Sequence, residues 1–411
     1  MNDFERELHS RLAMLREQDL HRELRRIDSP QTPQVILDGR KLLNFSSNDY
    51  LGLANEPALK EAAVKAIEKY GAGAGASRLV SGSLVPHHQL EEQLAAFKGV
   101  EAALTFATGY VAALGTIGAL LDKRDIVILD KLSHACLIDA ARLSGATLRA
   151  FAHNDLNQLE DKLKWAQDQA AAGANGGVPR PRTLIVSESI FSMDGDQAPL
   201  REIVKLKDRY GAWLMVDEAH ATGLYGTNRR GVLDELGLSG QVEIQMGTLG
   251  KAVGASGGYI CGSRALIELL VNRARSFIFS TAPVPAAVAA AAEGVRFIQS
   301  AAGEERCRVL WERVAPVELA IAVSPGKKLG AIIPLIVGEE NKTLRTADAL
   351  REQGIFIPAI RYPSVARRSA RLRLTLTASH TAAEVEQLVA ALQNLELVSN
   401  SSRIQVHALV G

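Results

Sequence analysis

Between about residues 87 and 275 the chain alternates short apolar runs with longer segments of helical spacing. Seven runs read as strands: 103–107, 126–130, 148–152, 183–188, 213–217, 244–247 and 258–261. Runs such as TLIVSE and WLMVDE are apolar at successive positions. A strand with one wet face alternates; a strand buried on both faces does not. The pattern therefore predicts a mostly parallel sheet with helices on both faces. Intervening segments such as 109–121 and 200–210 have helical spacing.

The flanks read differently. Leu8, Leu12 and Leu15 recur at helical spacing and predict an amphipathic helix over 4–26. Asp38-Gly39 separates two apolar runs and predicts a hairpin over 35–45. Residues 48–52 are polar and turn-forming, and Pro57 opens a predicted helix over 57–70. The stretch AAGANGGVPRP (171–181) reads as a surface loop. Past 285 come a long helix over 284–301, strands at 331–337, 355–357 and 372–377, and helices near 341–353 and 381–395. These make a smaller α+β domain. The division expected is an N-terminal segment (1–47), a large domain (48–285), a small domain (286–397) and a tail (398–411).

Composition narrows the function. The 411 residues are 47% hydrophobic and 23% charged, with net charge +1. Such a chain has the balance of a soluble globular protein, and no bulk field draws it to nucleic acid or an anionic membrane. No apolar run reaches the ~18 residues of a membrane span, and the charged N-terminus lacks the apolar core of a signal peptide. Cys136, Cys261 and Cys307 are few, odd in number and far apart. They predict neither a disulfide framework nor a metal site, but a reducing, cytoplasmic setting.

Candidate chemistry lies where strands end. Asp217-Glu218-Ala219-His220 closes one strand, Thr248-Leu249-Gly250-Lys251 another, and Gly109-Tyr110 opens a helix after a third. Ligand sites of open parallel sheets cluster at carboxyl ends of strands. A lysine with a lowered pKa forms a Schiff base with an aldehyde cofactor. An aspartate there can keep a pyridine nitrogen protonated, His220 can reach the ring's phenolic oxygen, and the helix N-terminus suits a phosphate.

The segments NFSSNDYLGLA (44–54), SRLVSGS (77–83), FATGYVAALG (106–115), DKLSHACLIDAARLSGA (130–146), ESIFSMDGDQAPL (188–200), VDEAHATGLYG (216–226), GTLGKAVGASGGY (247–259), RARSFIFSTAP (273–283) and ARLRLTLTASHT (370–381) span nearly the whole chain outside the tail. The chain resembles the α-oxoamine synthases, pyridoxal-phosphate (PLP) enzymes of fold type I, the aspartate-aminotransferase-like fold. That resemblance implies a large α/β/α domain with a mostly parallel sheet and a smaller C-terminal α+β domain. It implies that Lys251 carries PLP and shuttles a proton, and that Asp217 partners the ring nitrogen. His220 and Ser192 would bond the phenolic oxygen and His134 would stack on the ring. Gly109 and Tyr110 would form the turn near the phosphate, with Tyr110 where the family often has Phe, and Thr248 would add a hydroxyl.

Substrate roles follow from the same likeness. Arg373 would take an amino acid's carboxylate, Arg22 would stand near the mouth for the acyl substrate, and Asn48 and Glu188 would be polar active-site residues. Ser364 would keep a hydroxyl where threonine is frequent, and Thr281 would reach a neighbouring subunit's phosphate. The reaction implied joins an amino acid to an acyl thioester with loss of CO2. FSSNDYLGL, SMDGD and RLRLTLTASH favour L-alanine with pimeloyl-CoA or pimeloyl-acyl carrier protein. The family further implies a homodimer with sites at the subunit interface. Two alternatives stay open: a sister 2-amino-3-ketobutyrate CoA ligase using glycine and acetyl-CoA, and a non-catalytic PLP-fold sensor or scaffold. The joint presence of Lys251, Asp217 and His220 argues against the second.

Overall fold

The structure is a computed structural model and describes residues 1–173, 180–321, 330–395 and 397. In chain order the strands are β1 (Gln34–Leu37) and β2 (Arg40–Asn44), then β3 (Ala102–Phe106), β4 (Ile126–Asp130), β5 (Thr147–Phe151), β6 (Thr183–Glu188), β7 (Trp213–Asp217), β8 (Ile244–Thr248) and β9 (Gly258–Gly262). Four follow near the end: β10 (Ile332–Gly338), β11 (Ile355–Phe356), β12 (Ala359–Ile360) and β13 (Ala370–Thr375). The chain divides into two compact units. A first unit holds Met1–Tyr50, Met193–Gly195 and Arg308–Gly411; a second holds Leu51–Ser192 and Asp196–Cys307.

The second unit is built on one seven-stranded sheet in the order β3-β9-β8-β7-β6-β4-β5. Strands β5, β4, β6, β7 and β8 run parallel, and β9 is antiparallel to both β8 and β3. All seven runs read from the sequence are strands of this sheet. Their lack of alternation has the expected cause: β4 is buried at every position, and β6 and β7 at every position after the first. Val127, Leu129, Leu184, Val186, Met215 and Met246 pack under Ala112, Ile117, Leu137 and Ala140 from flanking helices. Cys136, Cys261 and Cys307 are buried thiols outside any disulfide.

The first unit carries two three-stranded sheets, β1-β2-β11 and β10-β13-β12. Here the sequence reading needs correction. The strand at 355 does not join the other late strands; it lies parallel to β2, with Ile355 opposite Leu43. The N-terminal helix ends at Glu17 rather than near 26. Asp19 takes a left-handed φ of 55°, and the N–H groups of Leu20 and His21 both fold back onto the Leu15 carbonyl at 2.8 and 3.1 Å. Leu20 is then buried, whereas Leu8, Leu12 and Leu15 are exposed. The helix read over 284–301 is present as Pro285–Gln299, and a second helix, Ala301–Ala320, follows it that the reading lacked. Ser300 between them is extended, and its hydroxyl accepts the Gly303 N–H at 3.2 Å, as a helix cap does. The helix Leu156–Gly173 runs into the expected loop at 171–181, most of which, like the tail at 398–411, lies outside the described residues.

Candidate active site

Strand register makes the centre of the site. In the parallel pairing of β6 and β7 their last residues, Glu188 and Asp217, stand opposite one another. Both carboxylates are buried. Asp217 accepts the Ala219 N–H at 2.9 Å, which turns the chain so that His220 follows. The His220 Nε2 atom lies 2.7 Å from the Lys251 Nζ. Lys251 sits in a turn after β8 that is closed by Leu249 N–H to Gly257 O and Gly254 N–H to Lys251 O, at 2.9 and 2.8 Å. Thus the lysine, histidine and aspartate expected from two strand-end motifs do meet.

Burial sets their protonation. Desolvation raises the Asp217 pKa, with the Lys251 charge opposing the rise. Glu188 is pushed up to about 8 by burial first and by the Asp217 charge second. Desolvation lowers the His134 pKa, against the pull of Asp217, so its imidazole is neutral at pH 7. Glu218, the next residue after Asp217, is fully buried as well but is paired: Lys98 lies 2.5 Å away and the Leu233 N–H donates at 2.9 Å.

The remaining expected groups lie in the same unit. His134 caps the helix Ala135–Ser144, its Nδ1 accepting the Cys136 N–H at 3.2 Å. Glu188 accepts the backbone N–H of His134 at 2.6 Å and that of Ser192 at 3.3 Å, one on each oxygen. Gly109 starts the helix Gly109–Leu120, capped by the Thr108 hydroxyl. Gly258 at the start of β9 passes so close that a Cβ there would come within 2.5 Å of the Gly109 nitrogen. The Tyr110 hydroxyl donates to Asp139. The Thr248 hydroxyl is engaged in the lysine turn, donating to Gly257 O at 2.9 Å and accepting the Gly250 N–H at 3.2 Å.

These residues fit a phosphorylated pyridine aldehyde. A buried carboxylate with a raised pKa is stabilised by a cationic ring nitrogen. A lysine amine beside an imidazole suits an aldehyde, and the first-turn N–H groups of the helix suit a phosphate. A separate hollow of about 550 Å³, lined by Trp213, Ile244 and Gly262, lies at the amino ends of β7 and β8, away from this chemistry.

The substrate candidates Arg373, Asn48, Arg22 and Ser364 fall in the first unit. Arg373, on β13, donates to the Asn48 side-chain oxygen at 3.0 Å and to the Tyr50 hydroxyl at 3.4 Å. Tyr50 was not singled out from the sequence. It is buried, donates to Asn48 at 3.3 Å, and has its pKa raised by burial, with Arg373 opposing. Its signal was its place two residues after Asn48 in NDY. Arg22 donates to Tyr362 O at 2.8 Å and lines a cavity of about 630 Å³ with Arg25, Arg351 and Arg361. Ser364 is exposed just before β13, its N–H bonded to Arg361 O at 3.0 Å. Thr281 is exposed and bridges Ser77.

The family model for aminotransferase class I and II matches residues 40–392. An 8-amino-7-oxononanoate synthase from Herminiimonas arsenicoxydans is 44% identical over 392 residues, covering 94% of this chain and 98% of that protein. The chain belongs to the 8-amino-7-oxononanoate synthases of the aminotransferase class I and II family. Solved structures agree with a fold of PLP type I. The 8-amino-7-oxononanoate synthase of Francisella tularensis superposes with TM-score 0.71 at 28% identity, covering 86% of this chain and 98% of that one. A serine palmitoyltransferase from S. paucimobilis, bound to a PLP–myriocin aldimine, gives TM-score 0.85 at 28% identity over 97% of this chain and all of that one.

Proposed function

We propose that this chain condenses L-alanine with a pimeloyl thioester, releasing CO2 and the free thiol carrier and forming 8-amino-7-oxononanoate for biotin biosynthesis, with pyridoxal 5'-phosphate as cofactor. The observation that carries the reading is the meeting of Lys251, His220 and buried Asp217 at the carboxyl ends of β7 and β8. PLP, when bound, supplies an aldehyde for the amino acid and a protonated ring that accepts electrons from Cα.

The chain's own residues do the rest. Lys251 would hold the cofactor, and its Nζ would take up and return the proton at Cα. His220, with Nε2 2.7 Å from that nitrogen, shares a hydrogen bond with it and orients it. Asp217 holds the ring nitrogen charged, and its burial strengthens that field. His134 offers a neutral aromatic face, Ser192 a hydroxyl to the phenolic oxygen, and Gly109, Tyr110 and Thr248 the phosphate end. Arg373 binds the alanine carboxylate with a planar fork of donors, supported by Asn48 and Tyr50. Arg22 and Ser364 serve the acyl substrate. The working form is a homodimer, a reading supported by the Asp3–Glu17 helix, which buries none of its residues within one chain.

The test is product analysis by mass spectrometry. L-alanine with pimeloyl-CoA or pimeloyl-acyl carrier protein is expected to give 8-amino-7-oxononanoate, whereas glycine with acetyl-CoA gives no product. Turnover of glycine and acetyl-CoA alone would assign the sister ligase activity instead.

A further inference from the structure

Asp130, His153 and Asp196 form a cluster outside the residues assigned above. The His153 Nδ1 lies 3.1 Å from Asp130 Oδ1, and its Nε2 lies 2.8 Å from Asp196 Oδ2. Asp130 closes β4 and also accepts the Leu132 N–H at 2.8 Å, shaping the turn that leads to His134. Asp196 closes the arm that leads out of Ser192. Its carbonyl accepts the Phe191 N–H at 3.0 Å, and Ile190 bridges Gln197 beside it. The Phe191 ring meets His153 edge-on at 4.4 Å. The second oxygen of Asp196, Oδ1, is buried and accepts no hydrogen bond among the described residues. The imidazole is therefore a main anchor of that carboxylate, with the Asn154 amide at 3.1 Å as a second donor.

We propose that His153 is a positioning residue whose ring, bonded to Asp130 on one side and Asp196 on the other, staples the turn presenting His134 to the arm presenting Ser192. These segments are then tied at two ends. Glu188 holds their backbone N–H groups at one end, and at the other His153 holds their carboxylates, with Asn154 beside it bonding Asp130 through its N–H at 2.8 Å and Asp196 through its amide. A single tie leaves a hinge; two fix an orientation. Burial works against charge on His153, but its bonds to Asp130 and Asp196 outweigh burial and hold its pKa at about 10. Both ring nitrogens are therefore donors at neutral pH, which a bridge between two carboxylates requires. The effect reaches the cofactor through Ser192 and His134, without contact from His153.

This inference rests on the PLP reading above, and the experiment separates the two. Wild type, His153→Ala, Asp196→Asn, Ser192→Ala and the His153→Ala/Ser192→Ala double variant are loaded with PLP. PLP dissociation, the pH midpoint of the visible absorbance of lysine-bound cofactor, and thermal stability are measured for each. His153→Ala is expected to raise the PLP dissociation constant about tenfold, the scale of a charge-assisted bond acting at one remove. It is also expected to move the absorbance midpoint in the direction Ser192→Ala moves it, with the double variant close to Ser192→Ala alone. Asp196→Asn keeps size and fold, and should move both readouts the same way by about threefold, even if His153→Ala does not fold. A His153→Ala or Asp196→Asn protein that melts lower but keeps the wild-type midpoint would overturn the proposal, leaving a purely structural cluster. Wild type without lysine-bound PLP would overturn the functional reading itself, and this inference with it.

Discussion

In the second unit, parallel register sets two carboxylates side by side, Glu188 against Asp217. In the first unit, an antiparallel strand carries Arg373, which donates to an amide oxygen and a phenol. Both clusters are buried, yet they solve different problems. Glu188 and Asp217 are forced together against their charge, so their protonation is tuned and a cation between or beside them is welcome. Arg373 donates to the neutral oxygens of Asn48 and Tyr50, which fix its direction. Arg371, two residues earlier on the same strand, is the contrast: it is bonded at 2.6 Å to Asp194 and serves structure. The difference teaches that like charges forced together by strand register mark chemistry, while an arginine aimed by an amide and a phenol marks recognition.

The comparison can be broken at its strongest point first. Lys251→Ala should lower turnover by about 10⁴-fold or more and abolish the visible absorbance of lysine-bound PLP. Retention of both would remove the chemistry from this cluster. Asp217→Asn should retain the fold while lowering kcat about 10²- to 10³-fold, because the ring nitrogen loses its anionic partner. Arg373→Ala should act on recognition, raising the KM for alanine about 10- to 100-fold with a smaller change in kcat. An unaltered KM would refute the carboxylate assignment.

Two smaller effects sharpen the contrast. Glu188 has a folded pKa of about 8 against an ordinary value of 4.5. Over that interval the folded cofactor-free chain binds the proton more tightly than the unfolded one. Its contribution to stability therefore falls as pH rises from 4.5 to about 8 and is level above. Glu188→Gln should flatten that part of the pH dependence of the urea midpoint, and an unchanged slope would show that the burial cost lies elsewhere. Tyr110→Phe, at an exposed hydroxyl bonded to Asp139, should leave the urea midpoint nearly unchanged and kcat within about twofold.

What the sequence disclosed depended on how local the cause was. The seven strands were visible because burial on both faces removes alternation from each run by itself. Lys251, Asp217 and His220 were visible because each ends a strand, and parallel strands end together. The pairing of β11 with β2 was hidden, since Ile355 meets Leu43 only through the folded chain. Tyr50 and His153 were hidden for the same reason: their partners, Arg373 in one case and Asp130 with Asp196 in the other, are remote in sequence. The end of the first helix was missed because nothing in the leucine spacing announces the left-handed turn at Asp19.

The sealed pair of Lys98 and Glu218 constrains how this chain can change over time. Replacing Lys98 alone would strand a carboxylate immediately next to Asp217, at a cost of about 3–5 kcal/mol, while replacing both with apolar residues of matching size removes that charge penalty and leaves only the smaller cost of the bonds to Leu233 N–H and Arg230 O. Mutational paths through this position must therefore move in double steps, and libraries built one substitution at a time will read as intolerance what is in truth a coupled freedom.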